Sequence, residues 1–279
     1  MPELPEVETV RKGLNQLISA KTIRQVEVFW PRIIESPAVE VFCTKLQNQV
    51  IKQVLRRGKF LIIELSEGCL ISHLRMEGKY HFYQQETAPN KHEHVVFRFT
   101  DGTELHYQDV RKFGRMTYLP KSQVSVYFET KKLGPEPTVA DFDLEVFATK
   151  VKASHKKIKP LLLNQQLVVG LGNIYVDEAL WQAKIHPETL AKALTDSEIK
   201  VLHQAIIEVL HRAVEAGGTT IRSYVNALGD AGNFQVQLNA YGQTGQPCVR
   251  CQTPIIKIKV EQRGTHLCPT CQIKKGEQQ

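Results

Sequence analysis

The chain has 279 residues, of which 42% are hydrophobic and 23% charged, the composition of a globular protein with room for two domain cores. No apolar run approaches the roughly 20 residues that a membrane-spanning helix needs, and no signal-peptide pattern is present, so we expect a cytoplasmic protein. The net charge of +7 suggests a polyanionic partner but does not decide between a nucleic acid and no particular partner.

An amphipathic helix is predicted at the start of the chain. Its apolar residues recur at the spacing of one helix face: Val7, Val10, Leu14, Leu17 and Ile18. Pro5 suits the first turn, where a missing N–H costs nothing, and Glu6 and Glu8 suit the positive end of the helix dipole. Such a helix would hold Pro2 and Glu3 on a rigid base.

Pro2 carries a possible chemistry. If Met1 is removed, Pro2 becomes a secondary amine, and an α-amino group with a pKa near ~7.7–8.0 is partly unprotonated at neutral pH. Such an amine attacks a sugar or carbonyl carbon and forms a cationic iminium, while Glu3 beside it could exchange protons. The alternative is an ordinary helix entry with a proline and acidic capping.

The first half of the chain reads as β-rich. Six short runs alternate or are apolar throughout: 23–28, 50–55, 60–65, 69–74, 94–99 and 104–107. Gly58, Gly68, Gly78 and Asp101-Gly102 separate them as turns, and strands at this spacing favour a sandwich or barrel. Helices are expected only at the start and around 37–47.

Three loops of this half carry cations, and two of them also carry a large apolar side chain. The tract 56–59 ends in Lys59 and could be a solvated basic turn, and the tracts 72–79 and 109–115 follow strands. In the latter two, a large apolar residue is usually packed over the core. The functional alternative is a wedge that fills the gap when a base leaves the DNA stack. In the tract 91–94, two histidines flank one glutamate, which is a weak metal signal, and we interpret His94 as structural.

From about Leu144 the period changes to that of helices. Lysines 150, 152, 156, 157 and 159 form, with His155, either a solvated or a phosphate-facing surface. Asn173 suits the N-cap of a helix, whose free N–H groups can also bind phosphate. Thr195 and Glu198 form a capping box for a scaffold helix that stops at Gly217-Gly218. The tract 219–241 is predicted to be a long functional or mobile loop.

The strongest motif is Cys-x2-Cys, sixteen residues, then Cys-x2-Cys near the end of the chain, formed by Cys248, Cys251, Cys268 and Cys271. This spacing predicts a four-cysteine zinc site in a reducing compartment. Four thiolates leave no open coordination position, so one structural zinc is expected, and it would staple a small hairpin of 255–260 and 265–268. Cys43 and Cys69 are interpreted as core residues.

The opening Met1-Pro2-Glu3-Leu4-Pro5-Glu6-Val7-Glu8-Thr9 resembles that of formamidopyrimidine-DNA glycosylases, and further tracts match in order to the last cysteine. The resemblance implies an α+β fold: an N-terminal β-sandwich with flanking helices over 1–135, a helix–two-turns–helix domain over 136–235, and a zinc-finger hairpin over 236–275. It implies that Pro2 is the nucleophile and Glu3 its acid/base partner. Lys59 would assist β-elimination, and Arg263, in Gln262-Arg263-Gly264, would assist δ-elimination. The residues implied to contact DNA are His92, Asn173 and the void-filling triad of Met76, Arg111 and Phe113.

The implied function is base-excision repair by a monomer acting on damaged duplex DNA. The enzyme would remove oxidised purines and then cleave the strand as an AP lyase, without a catalytic metal or organic cofactor. Two alternatives stay open at this point. An endonuclease VIII-like enzyme would prefer oxidised pyrimidines, and a zinc-ribbon protein would bind DNA without catalysis.

Overall fold

The computed structural model describes residues 1–219 and 237–275. The chain divides into two compact units, the first made of Met1–Lys131 with Gly217–Asn233, and the second of Lys132–Ala216 with Phe234–Gln279. Among the described residues, no helix is both long and apolar enough to cross a membrane. The domain boundaries at 135 and 235 stay predictions, and most of the predicted 219–241 loop lies outside the described residues.

The first unit is a two-sheet sandwich with helices. Its elements in order are α1 (Leu4–Ile18), β1 (Ile23–Val28), β2 (Ile34–Ser36), α2 (Val39–Leu46), β3 (Ile51–Arg57), β4 (Phe60–Leu65), β5 (Gly68–His73), β6 (Lys79–Tyr83), β7 (Glu93–Phe99), β8 (Glu104–Gln108), β9 (Arg115–Pro120) and α3 (Val124–Thr130). One sheet has the order β1-β7-β8-β6 and the other β2-β9-β5-β4-β3. All pairs are antiparallel except β2 with β9. The predicted sandwich is confirmed.

One hydrophobic core joins both sheets to α1. The predicted stripe of α1 enters this core through Val7, Val10, Leu14 and Ile18, with Leu17 partly buried beside it. Both sheets contribute side chains to the same core, for example Phe97 of β7 and Ile63 of β4. Alternation is clean in β4, where every second residue is buried, as expected for a strand with one face on the core. The core therefore fixes α1, and with it the start of the chain.

A buried polar cluster also holds the first sheet. The His106 ring lies between two carboxyl groups, with Nδ1 3.1 Å from Glu93 Oε2 and Nε2 2.8 Å from Glu104 Oε2. Burial would raise the pKa of Glu93, but bonds from the Asn90 N–H, His106 and Tyr83 outweigh it and lower that pKa. The pKa of Glu104 is likewise lowered, by bonded donors that outweigh burial. The bond from Asn90 also orders the loop before β7.

The second unit is helical and ends in a hairpin. It contains α4 (Leu144–Lys152), α5 (Ile158–Leu163), α6 (Asn173–Gln182), α7 (Asp196–Glu215), β10 (Ile256–Val260) and β11 (Arg263–Leu267). The capping box of Thr195 and Glu198 is present, and the apolar face of α7 is buried. The antiparallel β10–β11 hairpin is the predicted zinc-finger hairpin, with Glu261 and Gln262 between its strands.

Candidate active site and nucleic-acid interface

The start of the chain is fixed by a buried carboxyl group that we did not predict. Pro2 is buried and Glu3 is 2% exposed. The Glu3 N–H donates to Glu6 Oε2 at 2.8 Å, and Glu6 Oε1 accepts from the N–H and hydroxyl of Thr219 at 2.8 and 3.1 Å. Glu6 therefore ties the first residues to a segment 213 positions away. No signal in the sequence gives that partner.

Gly218 makes this contact possible. Its φ of +78° lies in the left-handed region, and a Cβ there would come within 2.8 Å of Glu6 Oε1. A side chain at this position would have to push the carboxyl group away. The glycine predicted to end α7 thus also lets the backbone approach Glu6.

Lys59 lies in the tight turn between β3 and β4, after Gly58 at φ +54°, and is 6% exposed. The first turns of α1 contact β3 beside this turn, because Arg56 Nε of β3 donates to Glu8 Oε2 at 3.0 Å. Burial, followed by the charges of Arg75, Lys59 and Lys131, lowers the pKa of His73 to about 3. His73 is therefore neutral near Lys59 at physiological pH.

The predicted wedge residues stand on two loops of the first unit. Arg111 and Phe113 are exposed, and the Arg111 guanidinium carbon lies 4.8 Å from the Phe113 ring centroid. Met76, between β5 and β6, is half-buried. His92 joins the Arg111 loop through the backbone, because its carbonyl accepts from the Asp109 N–H at 2.9 Å. Three of the predicted DNA contacts are thus assembled around Asp109.

Asp109 is fully buried and shapes that loop. Its Oδ1 accepts from the Arg111 N–H at 3.0 Å and its Oδ2 from the Gly114 N–H at 2.7 Å. His94 Nε2–H donates to the Asp109 carbonyl at 2.9 Å, and burial is the first cause that lowers the pKa of His94. His94 is therefore structural, as predicted. Asp109 itself was not singled out, since one carboxylate in a loop carries no signal of burial.

In the second unit, Asn173 lies beside the hairpin turn. Its Nδ2 donates to the Gly264 carbonyl at 2.9 Å, so Asn173 and Arg263 belong to one local structure. The N-cap prediction for Asn173 is wrong: Gly172 is the N-cap and Asn173 is the first residue of α6. The long-range bond to Gly264 uses one N–H of its amide group. Arg263 is exposed and begins β11 opposite Val260.

Lys159 corrects the prediction of a solvated or phosphate-facing surface at its own position. It is fully buried, and its Nζ donates to Asp177 Oδ1 at 2.7 Å, to Thr265 Oγ1 at 2.7 Å and to the Gly264 carbonyl at 3.3 Å. The other basic residues of this run remain on the surface, where Lys157 pairs with Glu188. Lys159 therefore holds the hairpin turn from inside.

A second buried glutamate fixes the segment before the zinc finger. Glu178 accepts the backbone N–H groups of Asn239, Ala240 and Tyr241 at distances of 2.8–3.2 Å. Burial outweighs these bonds and raises the pKa of Glu178. The Tyr241 ring meets that of His266 edge-on at 4.8 Å. This end of the predicted 219–241 loop is consequently anchored on α6.

The four cysteines form a suitable zinc site. The sulfur atoms of Cys248, Cys251, Cys268 and Cys271 all lie within 4.8 Å of one another. A tetrahedral zinc with Zn–S bonds of about 2.3 Å places its ligands about 3.8 Å apart, which this cluster accommodates. Trp181, Ala240 and Ile255 pack around it. One structural zinc therefore fits, held by four thiolates with no position left for substrate.

Comparison with known families agrees with this arrangement. Three family models match: the formamidopyrimidine-DNA glycosylase N-terminal domain at 1–116, the formamidopyrimidine-DNA glycosylase H2TH domain at 133–225, and the zinc finger found in FPG and IleRS at 245–273. The formamidopyrimidine-DNA glycosylase of Enterococcus faecalis is 65% identical over 276 residues, which cover 99% of each chain. The chain belongs to the formamidopyrimidine-DNA glycosylase family. As a member it is a DNA glycosylase and AP lyase of base-excision repair, and the predicted fold class is confirmed.

Further relatives and solved structures support the same family. The Streptococcus mutans formamidopyrimidine-DNA glycosylase is 55% identical, covering 98% of this chain and 99% of its own. A mutant of Lactococcus lactis FPG in complex with Fapy-dG DNA matches with a TM-score of 0.94 and 48% identity, covering 98% of this chain and 100% of its own. The Lactococcus lactis enzyme with DNA containing an abasic site matches with a TM-score of 0.94 and 49% identity over the same shares. MutM in complex with carbocyclic 8-oxo-G DNA matches with a TM-score of 0.93 and 49% identity, again over those shares.

Proposed function

We propose that this glycosylase removes oxidised purines, such as 8-oxoguanine and formamidopyrimidines, through the amine of Pro2. The observation that carries the proposal is the fixed start of the chain, where Pro2 and Glu3 are buried and the Glu3 N–H donates to Glu6. The related structures contain Fapy-dG, abasic or 8-oxo-G DNA, which are the substrate and product classes expected for this chemistry.

The chemistry proceeds once Met1 has been removed. The lone pair of the Pro2 nitrogen forms a bond to the sugar C1′, the glycosidic bond breaks, and its electrons leave with the base, which takes up the proton that the Pro2 nitrogen gives up. Glu3 protonates the ring oxygen so that the sugar opens to an iminium. The iminium draws electrons from C2′, which loses a proton as the 3′ phosphate leaves, and the 5′ phosphate follows in a second elimination.

The remaining predicted residues serve DNA handling in this proposal. Met76, Arg111 and Phe113 fill the gap of the extruded base, since apolar wedges and a hydrogen-bonding arginine replace lost stacking and pairing. Lys59 contacts the backbone and assists the first elimination, and Arg263 assists the second. His92 and Asn173 contact phosphates, which position the duplex without reading sequence.

Neither alternative function is as well supported as purine excision. A non-catalytic zinc-ribbon binder does not account for a match over residues 1–116 to the glycosylase N-terminal domain. An endonuclease VIII-like preference for oxidised pyrimidines is less well supported than purine excision, because the related complexes contain purine lesions. We further propose three domains, 1–135, 136–235 and 236–275, and a bacterial cytoplasmic enzyme associated with the nucleoid through its substrate.

Borohydride trapping tests this function. Untagged protein, shown by mass to lack Met1, is incubated with duplexes carrying 8-oxoguanine opposite cytosine, thymine glycol, or no lesion. We expect an adduct on the oxidised purine that maps to Pro2. A stronger adduct with thymine glycol would instead support the pyrimidine enzyme.

The matched control retains Met1 behind a short N-terminal extension. We expect it to bind the lesion duplex but to give neither base excision nor strand cleavage, because its Pro2 nitrogen is an amide. Normal turnover by this protein would refute the role of Pro2.

A further inference from the structure

The loop that carries Arg111 and Phe113 has one side chain turned away from its exposed tip. Val110, Arg111 and Phe113 are all exposed, whereas Lys112 is half-buried. The Lys112 Nζ lies 3.9 Å from the centroid of the Trp30 ring, well within the range of a cation–π contact. The charge of this lysine thus lies on an aromatic ring beneath the tip.

The backbone of Lys112 favours this reversal. Its φ of +59° is left-handed, which is uncommon outside glycine, and its N–H donates to the Asp109 carbonyl at 3.2 Å. Arg115 supports the far side by donating to the carbonyls of Phe113 and Gly114 at 3.0 and 2.7 Å. The turn therefore separates Lys112 from the residues on either side of it.

The position of Trp30 relative to this loop is fixed by packing and by backbone hydrogen bonds. The ring packs against the core, and the preceding residue, Phe29, donates its N–H to the His94 carbonyl at 2.8 Å. The His94 ring in turn donates to the Asp109 carbonyl at 2.9 Å. His94 thus links the segment of Trp30 to the base of the loop. The Lys112–Trp30 contact is a second link between the same two segments, nearer the tip of the loop.

We propose that Trp30 is a positioning residue that holds Lys112 and thereby presents Arg111 and Phe113 as a preformed wedge. Lys112 stays on Trp30 when DNA is bound and does not become a phosphate contact. This inference rests on the proposed function, because it assigns the loop a role in base extrusion. If the wedge is already formed, base extrusion does not incur the entropy cost of ordering the loop. The Lys112–Trp30 contact would act at this step.

The principal test uses four variants and two substrates. Trp30→Ala and Lys112→Met remove the contact from either side, Trp30→Tyr keeps an aromatic face, and Lys184→Met is the control. Lys184 is an exposed lysine with a similar φ of +58°. Single-turnover excision is measured on 8-oxoguanine opposite cytosine, and trapping is measured on a single-stranded abasic oligonucleotide, which requires no extrusion from a duplex.

We expect Trp30→Ala and Lys112→Met to slow excision about fivefold, the scale of one partly buried cation–π contact. Trapping on the single-stranded abasic site should be unchanged, and Trp30→Tyr and Lys184→Met should match the wild type on both substrates. An unchanged excision rate in Trp30→Ala would overturn the inference. So would equal losses on both substrates, because they would indicate a general structural defect.

The salt dependence of binding separates the two possible uses of Lys112. If Lys112 remains on Trp30, Lys112→Met leaves the slope of log K against log salt unchanged. A slope reduced by about 0.9 would mean that Lys112 neutralises a phosphate, which would contradict the proposal.

Fluorescence tests the contact independently of catalysis. The chain has two tryptophans, so Trp181→Phe leaves Trp30 as the only one. In this background, Lys112→Met should change the emission of the free protein, and lesion DNA should not abolish the difference. No emission change would refute the contact. If the wild-type protein were inactive while Lys112→Met still changed the Trp30 emission, the proposed function would be refuted and the contact would stand.

Discussion

The buried pair of Lys159 and Asp177 provides the sharpest stability prediction. Both side chains are fully buried, and the Lys159 ammonium also binds the Thr265 hydroxyl and the Gly264 carbonyl. Lys159→Met removes the positive charge at similar length and leaves the Asp177 carboxylate uncompensated in the interior. Breaking one side of such a pair costs about 3–5 kcal/mol.

The loss should appear in the second unit. For a domain of this size, about 3–5 kcal/mol corresponds to a fall of roughly 10 °C or more in its unfolding temperature, measured by calorimetry. DNA affinity should fall as well, because Lys159 and Asn173 share the Gly264 carbonyl next to Arg263. The matched control is Lys157→Met, two residues earlier. That lysine pairs with Glu188 near the surface, where an ion pair contributes under about 1 kcal/mol.

A double variant separates charge from packing. Lys159→Met with Asp177→Asn removes both charges. In the wild-type protein the backbone N–H of His266 donates to Asp177 Oδ2 at 2.9 Å, and the asparagine keeps an acceptor for this N–H. We expect the double variant to recover more than half of the lost stability. If Lys159→Met is no worse than Lys157→Met, the reasoning about the buried pair is refuted. If the double variant recovers nothing, the unpaired charge is not the cause.

Three other predictions follow from buried or clustered groups. Glu6→Gln should destabilise the first unit by about 1–3 kcal/mol and weaken trapping, because a side-chain amide has only one acceptor oxygen for the N–H groups of Glu3 and Thr219. The free energy of unfolding is measured in urea, and Thr219→Val, which loses only the hydroxyl bond, is the control. The lowered pKa values of Glu93 and Glu104 contribute stability that is present above the unfolded glutamate pKa of about 4.3 and is lost as the pH falls through the folded values. Unfolding temperatures measured from pH 6 to 3 should therefore drop less steeply in Glu104→Gln. Cys268→Ser should lose zinc and DNA binding together, as measured by metal content and affinity, and a folded variant that kept both would contradict a structural zinc.

Local signals predicted most of the architecture. The bounds of β1 and β4 agree with the predicted runs, and the capping box of α7 lies where it was expected. Those elements alternate or cap within a few residues, so their evidence is contained in the sequence itself. The predicted 69–74 strand is displaced by one residue, since β5 spans Gly68–His73.

The missed elements lack such local signals. We did not predict β2, β6 or β9: the last begins with an arginine and ends with a proline, and β6 has little alternation. The expectation that helices occur in the first half only at the start and around 37–47 is wrong, because α3 spans Val124–Thr130. None of its residues is buried, and seven residues are too few for the helical spacing of Val124, Tyr127 and Phe128 to be recognised in the sequence.

The candidate site divides in the same way. Its proposed reactive and DNA-contacting residues stood out because the short motifs that carry them resemble those of the glycosylase family, but the groups that hold those motifs did not. Glu6, Asp109 and Asp177 are buried carboxyl groups, and each accepts N–H groups or a cation next to a proposed functional segment. A lone acidic residue in a sequence is usually solvated, and its burial is tolerable only where hydrogen-bonding or charged partners satisfy it. For Glu6 and Asp177 those partners include Thr219 and Lys159, 213 and 18 positions away, whereas Asp109 accepts N–H groups two and five positions further along its own loop. No short motif contains these pairings, so substitutions at the three carboxyl groups should alter the geometry of the motifs while leaving every motif residue in place.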